Sequence, residues 1–179
     1  MTVAVETGLW QLDPTASAVR LRHRTFWGLV AVKGTFTAVT GRGEVRPDGS
    51  AAGTVTLETA SLDTGNAKRD AHLRSADLLD AGAHPEITYT ATGAELLDGD
   101  GDGGSDGSSV RVTGRLTVHG VEQPLTLTAR LAAATPGALT LETEFTVDRD
   151  RFGVSWNQLG MMRGLTTVTA ALRFTRAAA

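Results

Sequence analysis

Apolar and polar residues alternate with a period of two along most of this chain. In VTLET, Val55 and Leu57 share one side while Thr56 and Glu58 take the other. VRVTGRLTVHG sets Arg111, Thr113, Arg115, Thr117 and His119 on one face, and Val110, Val112, Gly114, Leu116 and Val118 on the opposite face. LTLTARL, LTLETEFTV and VTAALRF repeat the pattern. Each segment is apolar on one side only, as antiparallel strands with one solvated face require. Turn signals such as RPDGSAAG and ATPGA separate them, and about eight to ten strands are predicted in all.

So many one-sided strands must stack as a sandwich or close as a barrel, and periodicity does not choose between the two. Gly28, Gly34, Gly41 and Gly43 favour a strongly bent strand and tilt the choice toward a barrel. Two stretches break the alternation. DGDGDGGSDGSS is low-complexity and reads as a flexible hairpin loop over 98–109. Its Asp98, Asp100 and Asp102 mimic the start of a calcium loop, but the twelfth position is Ser109, not the bidentate glutamate such a loop needs.

The second break is DTGNAKRDAHLRSADLLD, from Asp63 to Asp80, which predicts a short helical insertion near residues 66–80. Asp70 and Arg74 stand at the favourable i,i+4 spacing, Ser75 can cap a further turn, and Gly82 and Pro85 end the excursion. Its charges nearly balance. One reading is a solvated, salt-bridged helix packed on a barrel end. The other is a lid whose Arg69, His72 or Arg74 meets a polar ligand head.

At 179 residues the chain fits a single domain, 1–179, with ordinary hydrophobic and charged content. Seventeen Lys and Arg against 20 Asp and Glu give no global basicity, and aromatic platforms are scarce, which argues against a nucleic-acid partner. The absence of cysteine removes disulfides, thiolate catalysis and sulfur-ligated metals. MTVAVETGLWQLDP lacks the pattern of a secretory leader and no segment approaches membrane-spanning length, so the expected location is cytoplasmic.

Catalytic motifs are missing. His23, His72, His84 and His119 form no close sequence pair of the metal-binding kind, and each alone reads as structural. No G-x-S-x-G elbow or phosphate-binding loop occurs, and Ser17, Ser61, Ser75 and Ser155 have no marked base beside them.

Four motifs, in order, resemble the YceI-like family of polyisoprenoid-binding or lipid-binding domains. SLDTGNAKRDAHLRSADLLDAGAHPEITY looks like the family's signature region, and WQLDPTASAVRL its opening strand. VTGRLTVHGVEQPLTL is similar to a G-x-L-T-x-H/N-G-V-T-x-P-V pattern, and DRDRFGVSWN to a late D/N-R-x-D-F-G motif. The resemblance runs from Trp10 to about Phe174. It implies an all-β, extended lipocalin-like antiparallel barrel of about eight strands, with the helical piece inserted at Asn66–Asp80. It also implies non-enzymatic binding, storage or transport of a long-chain amphiphile such as a polyisoprenoid, an isoprenoid quinone or a fatty amide, with no cofactor or metal.

Two departures stand out. A family histidine near the end of the second strand is offset here, so no role passes to His23; a paired aromatic is replaced by Leu78–Leu79, which leaves less aromatic cover over a ligand. Barrel-lining candidates on this reading are Val55, Leu57, Ile87, Val112, Leu116, Leu125, Leu127, Ala129, Leu141 and Leu172. Arg69, His72 and Arg74 are the candidates for the mouth. At roughly 0.8 kcal/mol per buried methylene, one isoprene unit contributes about 3–4 kcal/mol gross. Several units outweigh an association cost of roughly 4–15 kcal/mol. Two alternatives stay open: an isomerase or hydrolase using His72, Asp70 or His119 on a hydrophobic substrate, and a filled barrel serving as an interaction module. A homodimer through strand edges is also compatible with the pattern.

Overall fold

The structure, a computed structural model, describes residues 5–25, 29–97, 108–154 and 165–178. Its strands are β1 (Gly8–Leu12), β2 (Ala18–Thr25), β3 (Val30–Phe36), β4 (Val39–Val45), β5 (Ala51–Glu58) and β6 (Leu62–Asp63). After the helix α1 (Ala67–Arg74) come β7 (Glu86–Leu97), β8 (Ser109–Val118), β9 (Val121–Thr135), β10 (Ala138–Val147) and β11 (Thr166–Arg176). Short 3-10 turns occupy Thr59–Ser61 and Arg149–Phe152.

Every ladder is antiparallel, and the order β1-β4-β5-β7-β8-β9-β10-β11 returns to its start because β11 also pairs β1, with Leu12 opposite Phe174. Eight strands therefore close a barrel. The other three extend it: β11 pairs β2 through Thr166–Ala171 before it reaches β1, β2 pairs β3, and β3 pairs β6. Thus β1 with β2, β3 with β4, and β5 with β6 are halves of long staves, each broken once.

The breaks have local causes. Asp13 accepts bonds from the backbone N–H and hydroxyl of Thr15 (2.9 and 2.6 Å), an Asx turn that takes the chain out of the sheet between β1 and β2. The other two breaks lie side by side and are tied by Thr37 N–H to Ser61 O (3.2 Å) and Glu58 N–H to Ala38 O (3.0 Å). Glycine is required where staves press together. A Cβ at Gly41 would stand 3.1 Å from Cβ of Leu12, so the bend foreseen for this region rests on a missing side chain.

Side chains plug one end of the barrel. Trp10, Leu131 and Leu139 are buried there, packed against Val45, Leu141 and Phe174. The larger cluster, with Leu12, Phe36, Leu62, Leu78, Ile87 and Phe152 among its buried members, runs toward the other end. Outward faces carry exposed ion pairs between neighbouring strands, such as Arg115–Glu122 at 2.9 Å.

The helical insertion is shorter than its charge pattern suggests. Asn66 caps α1 by accepting the N–H of Arg69 (3.0 Å), and α1 stops at Arg74 because Ser75 turns to an extended backbone. The hydroxyl of Ser75 donates to His72 O (2.6 Å), and its own carbonyl accepts N–H bonds from Leu78 and Asp80. Residues 75–83 are thus successive turns. The low-complexity loop lies outside the described residues from 98 to 107, together with its calcium-like Asp98, Asp100 and Asp102.

Candidate functional site

The barrel encloses a cavity of about 560 Å³ with an almost wholly apolar lining. Six of the ten proposed lining residues face it: Val55, Leu57, Ile87, Leu116, Leu127 and Leu172. Four do not, and packing explains each exclusion. Leu141 belongs to the plug beneath the cavity, packed with Trp10 and Leu139. Ala129 is buried on the same strand as the plug residue Leu131, two positions before it. Val112 and Leu125 lose their place to Tyr89. Its phenol donates to Leu125 O (2.8 Å) and lies 3.4 Å from Val112 O. A Cβ at Gly114 would come within 2.8 Å of the Tyr89 hydroxyl, so the ring lies across this glycine. Alternation alone marks Val112 and Leu125 as inward; the aromatic side chain above them forms the cavity floor. Burial pushes the Tyr89 hydroxyl pKa up, so it stays a neutral donor at physiological pH.

Polar groups gather at the opposite end. His23, near the end of β2, pairs across the ladder with Thr166 at the start of β11, and their side chains hydrogen-bond at 3.0 Å. Arg149 follows β10 by two residues and also lines the cavity. Its Nη1 is fully buried without a hydrogen-bond partner among the described residues. Burial lowers the Arg149 pKa, partly offset by Asp150 and Asp148, yet a guanidinium remains charged. Leu29 (84 % exposed) and Leu165 (55 % exposed) stand beside this end, next to Val30 and Thr166 of the lining.

The excursion after β6 supplies a wall. Arg69, His72, Leu73, Leu78 and Leu79 all face the cavity. Arg69 donates to the hydroxyl and carbonyl of Thr64 (2.8 and 2.9 Å), and buried Asp70 accepts the N–H (3.1 Å) and hydroxyl of Thr64. These bonds clamp α1 to the end of β6. Arg74 does not belong to the mouth. Its Nη2 donates to Leu62 O (2.9 Å), so its charge braces the helix from behind. His72 sits 3.6 Å from Asp77. Charge-assisted bonds thus tie the excursion to the end of β6.

The acid–base groups considered for an enzyme do not converge in the cavity. Asp70 is spent on Thr64, and His119 packs against His84 with ring centroids 4.7 Å apart. The filled-barrel reading fails, because the volume exceeds the roughly 300 Å³ lower bound of ligand pockets. Sequence reasoning missed Tyr89, Arg149 and His23. His23 carried a signal as the polar residue on the inward parity of β2 with Val19 and Leu21, and Arg149 and Tyr89 lie inside the quoted family-like motifs DRDRFGVSWN and HPEITY.

Fold and site together define a lipocalin-like protein, a closed antiparallel barrel around an apolar chamber with polar groups at one end. The YceI-like domain profile matches residues 10–174, and the chain belongs to that family. Protein YceI of an Escherichia coli O17:K52:H18 strain is 43 % identical over 77 residues, which is 43 % of this chain and 36 % of that protein. The chain thus spans about a third of the length of the curated relatives it matches. Among solved structures, BcnA of Burkholderia cenocepacia superposes with a TM-score of 0.75 at 19 % identity, covering 90 % of this chain and 98 % of BcnA. A polyisoprenoid-binding domain from Saccharophagus degradans, implicated in plant cell wall breakdown, gives 0.73 at 15 % identity over 96 % of this chain and 100 % of its own. Among the described residues no helix is long and apolar enough to cross a membrane.

Proposed function

We propose that the protein binds a long-chain amphiphile, an isoprenoid lipid or isoprenoid quinone, and holds it in the barrel for storage or transport without transforming it. One observation carries this reading: a 560 Å³ chamber, almost wholly apolar in its lining, with His23, Arg149 and Thr166 gathered at one end. A hydrocarbon tail fits the chamber down to Tyr89, and an oxygen-bearing head fits beside Arg149, His23 and Thr166. The unmatched Nη1 of Arg149 is a buried donor awaiting an acceptor, which a carbonyl or carboxylate supplies. Exposed Leu29 and Leu165 give the tail an apolar path into the mouth. Family membership and the likeness to a polyisoprenoid-binding domain support the ligand class.

Tail burial sets affinity in this account, so a prenyl series tests it. Affinity measured by displacement of a fluorescent prenyl probe rises with each added isoprene unit until the chamber is full, then levels off. A flat response from the shortest to the longest chain contradicts binding inside the barrel.

A further inference from the structure

Two side chains of one turn, Asp80 and His84, meet the sequence-distant His119 beside the cavity wall. Their ligand-capable atoms, one from each, all lie within 4.8 Å of one another, and all three residues are half-buried. Both imidazoles and the carboxylate make no hydrogen bond or ion pair with any other described residue. We propose that this cluster is a binding site for a divalent transition metal ion such as Zn²⁺.

The donor set chooses the metal class. Two imidazoles and one carboxylate suit Zn²⁺, Co²⁺, Ni²⁺ or Cu²⁺, whereas Mg²⁺ and Ca²⁺ prefer oxygen alone. Bonds of about 2.0–2.1 Å in a tetrahedron put donors roughly 3.4 Å apart. Side-chain rotation closes the difference, because the backbones are already fixed. His84 N–H donates to Asp80 O (2.8 Å), which sets these two ligands on one tight turn. His84 O accepts the hydroxyl of fully buried Thr59 (2.8 Å), and Thr59 N–H bonds Pro85 O (2.9 Å). His119 is held by the β8–β9 turn, where it and Gly120 have φ of 53° and 71°.

Two features favour a ligand role over chance. Asp80 (φ 47°) and His119 are the only non-glycine residues with positive φ among those described. At His119 the two-residue β8–β9 hairpin requires this conformation, so the turn itself fixes where that imidazole stands. Gly120 is also required by its neighbour, since a Cβ there would stand 2.7 Å from Cε1 of His84. The glycine lets the second imidazole approach the first.

The position gives the ion a consequence for the cavity. Asp80 follows Leu79, and His119 follows Val118, and both preceding residues line the chamber. A bound ion would staple the excursion wall to the β8–β9 turn, leaving its fourth position to water. Metal would then slow ligand exchange without touching the ligand.

The test uses the full chain, tag-free and stripped with EDTA, titrated calorimetrically with Zn²⁺ and spectroscopically with Co²⁺. One ion per chain is expected, with visible Co²⁺ bands of tetrahedral nitrogen and oxygen ligation. His84→Gln, Asp80→Asn and His119→Asn should each weaken binding by about tenfold or more; asparagine tolerates positive φ at 119. Glu44→Gln, an exposed site on β4, should leave it unchanged. Should a variant misfold, Zn²⁺ titration of the wild type, read by imidazole NMR, must shift His84 and His119 and not His23. Failure to bind one ion, undiminished binding by folded His84→Gln and His119→Asn, or unshifted His84 and His119 resonances would overturn the site.

Discussion

Replacing Arg149 by methionine should make the empty protein more stable and the loaded protein weaker, a reversal that a merely structural arginine does not give. Nη1 of Arg149 is fully buried with no partner among the described residues, while backbone bonds around it, such as Val154 N–H to Arg149 O (3.2 Å), do not need the side chain. An orphaned buried donor costs about 1–3 kcal/mol. Attraction to Asp148 and Asp150, which are partly or fully solvated, returns no more than about 1 kcal/mol. Methionine keeps the stem and removes the charge, so the net gain is about 1–2 kcal/mol. For a chain of this size that raises Tm by about 2–8 °C. Scanning calorimetry on delipidated protein reads it. In the loaded protein the same group makes a hydrogen bond from a charged donor, worth about 1.5–3 kcal/mol, or roughly 10- to 150-fold in affinity. Displacement titrations should show that loss for a prenyl or fatty carboxylate and none for the corresponding hydrocarbon. A lower Tm for the empty variant, or equal losses for both ligands, refutes the assignment of Arg149 to the head group.

Other expectations follow from the same packing. Gly114→Ala places a Cβ 2.3 Å from Thr90 O and 2.8 Å from the Tyr89 hydroxyl, so urea unfolding should show a loss of about 1–3 kcal/mol. Tyr89→Phe removes the donor to Leu125 O and costs about 1 kcal/mol by the same assay; the two changes combined should be non-additive, because they share one contact. Asp70→Ala strips Thr64 of its acceptor and should cost about 1.5–3 kcal/mol, with hydrogen exchange accelerated across 67–74 and not in β8. Ala170→Phe, on the cavity wall, should abolish uptake of a prenyl probe while the circular dichroism of the barrel is retained.

Alternation in sequence located the strands because each is buried on one face only, and the motif order placed the helical excursion. What alternation does not encode is depth along the barrel axis. Leu141 and Leu172 face each other across the β10–β11 ladder, yet Leu141 joins the plug and Leu172 the chamber. A bulge between Thr140 and Leu141 contributes, since it shifts register against β9 at that level. Long side chains escape such reasoning for another reason. Tyr89 acts far from its own Cα, reaching carbonyls on two other strands, and Arg74 turns back to Leu62 rather than forward to the mouth. Asp80, His84 and His119 were invisible as a group because the barrel brings together positions separated by β7 and β8.

Native mass spectrometry of delipidated protein reloaded with a twenty-carbon prenyl lipid, run beside Ala170→Phe, tests the central claim most directly. One lipid per wild-type chain, surviving gentle desolvation, is expected, and none on the filled variant. Equal loading of both proteins, or no adduct on the wild type, would place the lipid outside the barrel or nowhere on this protein.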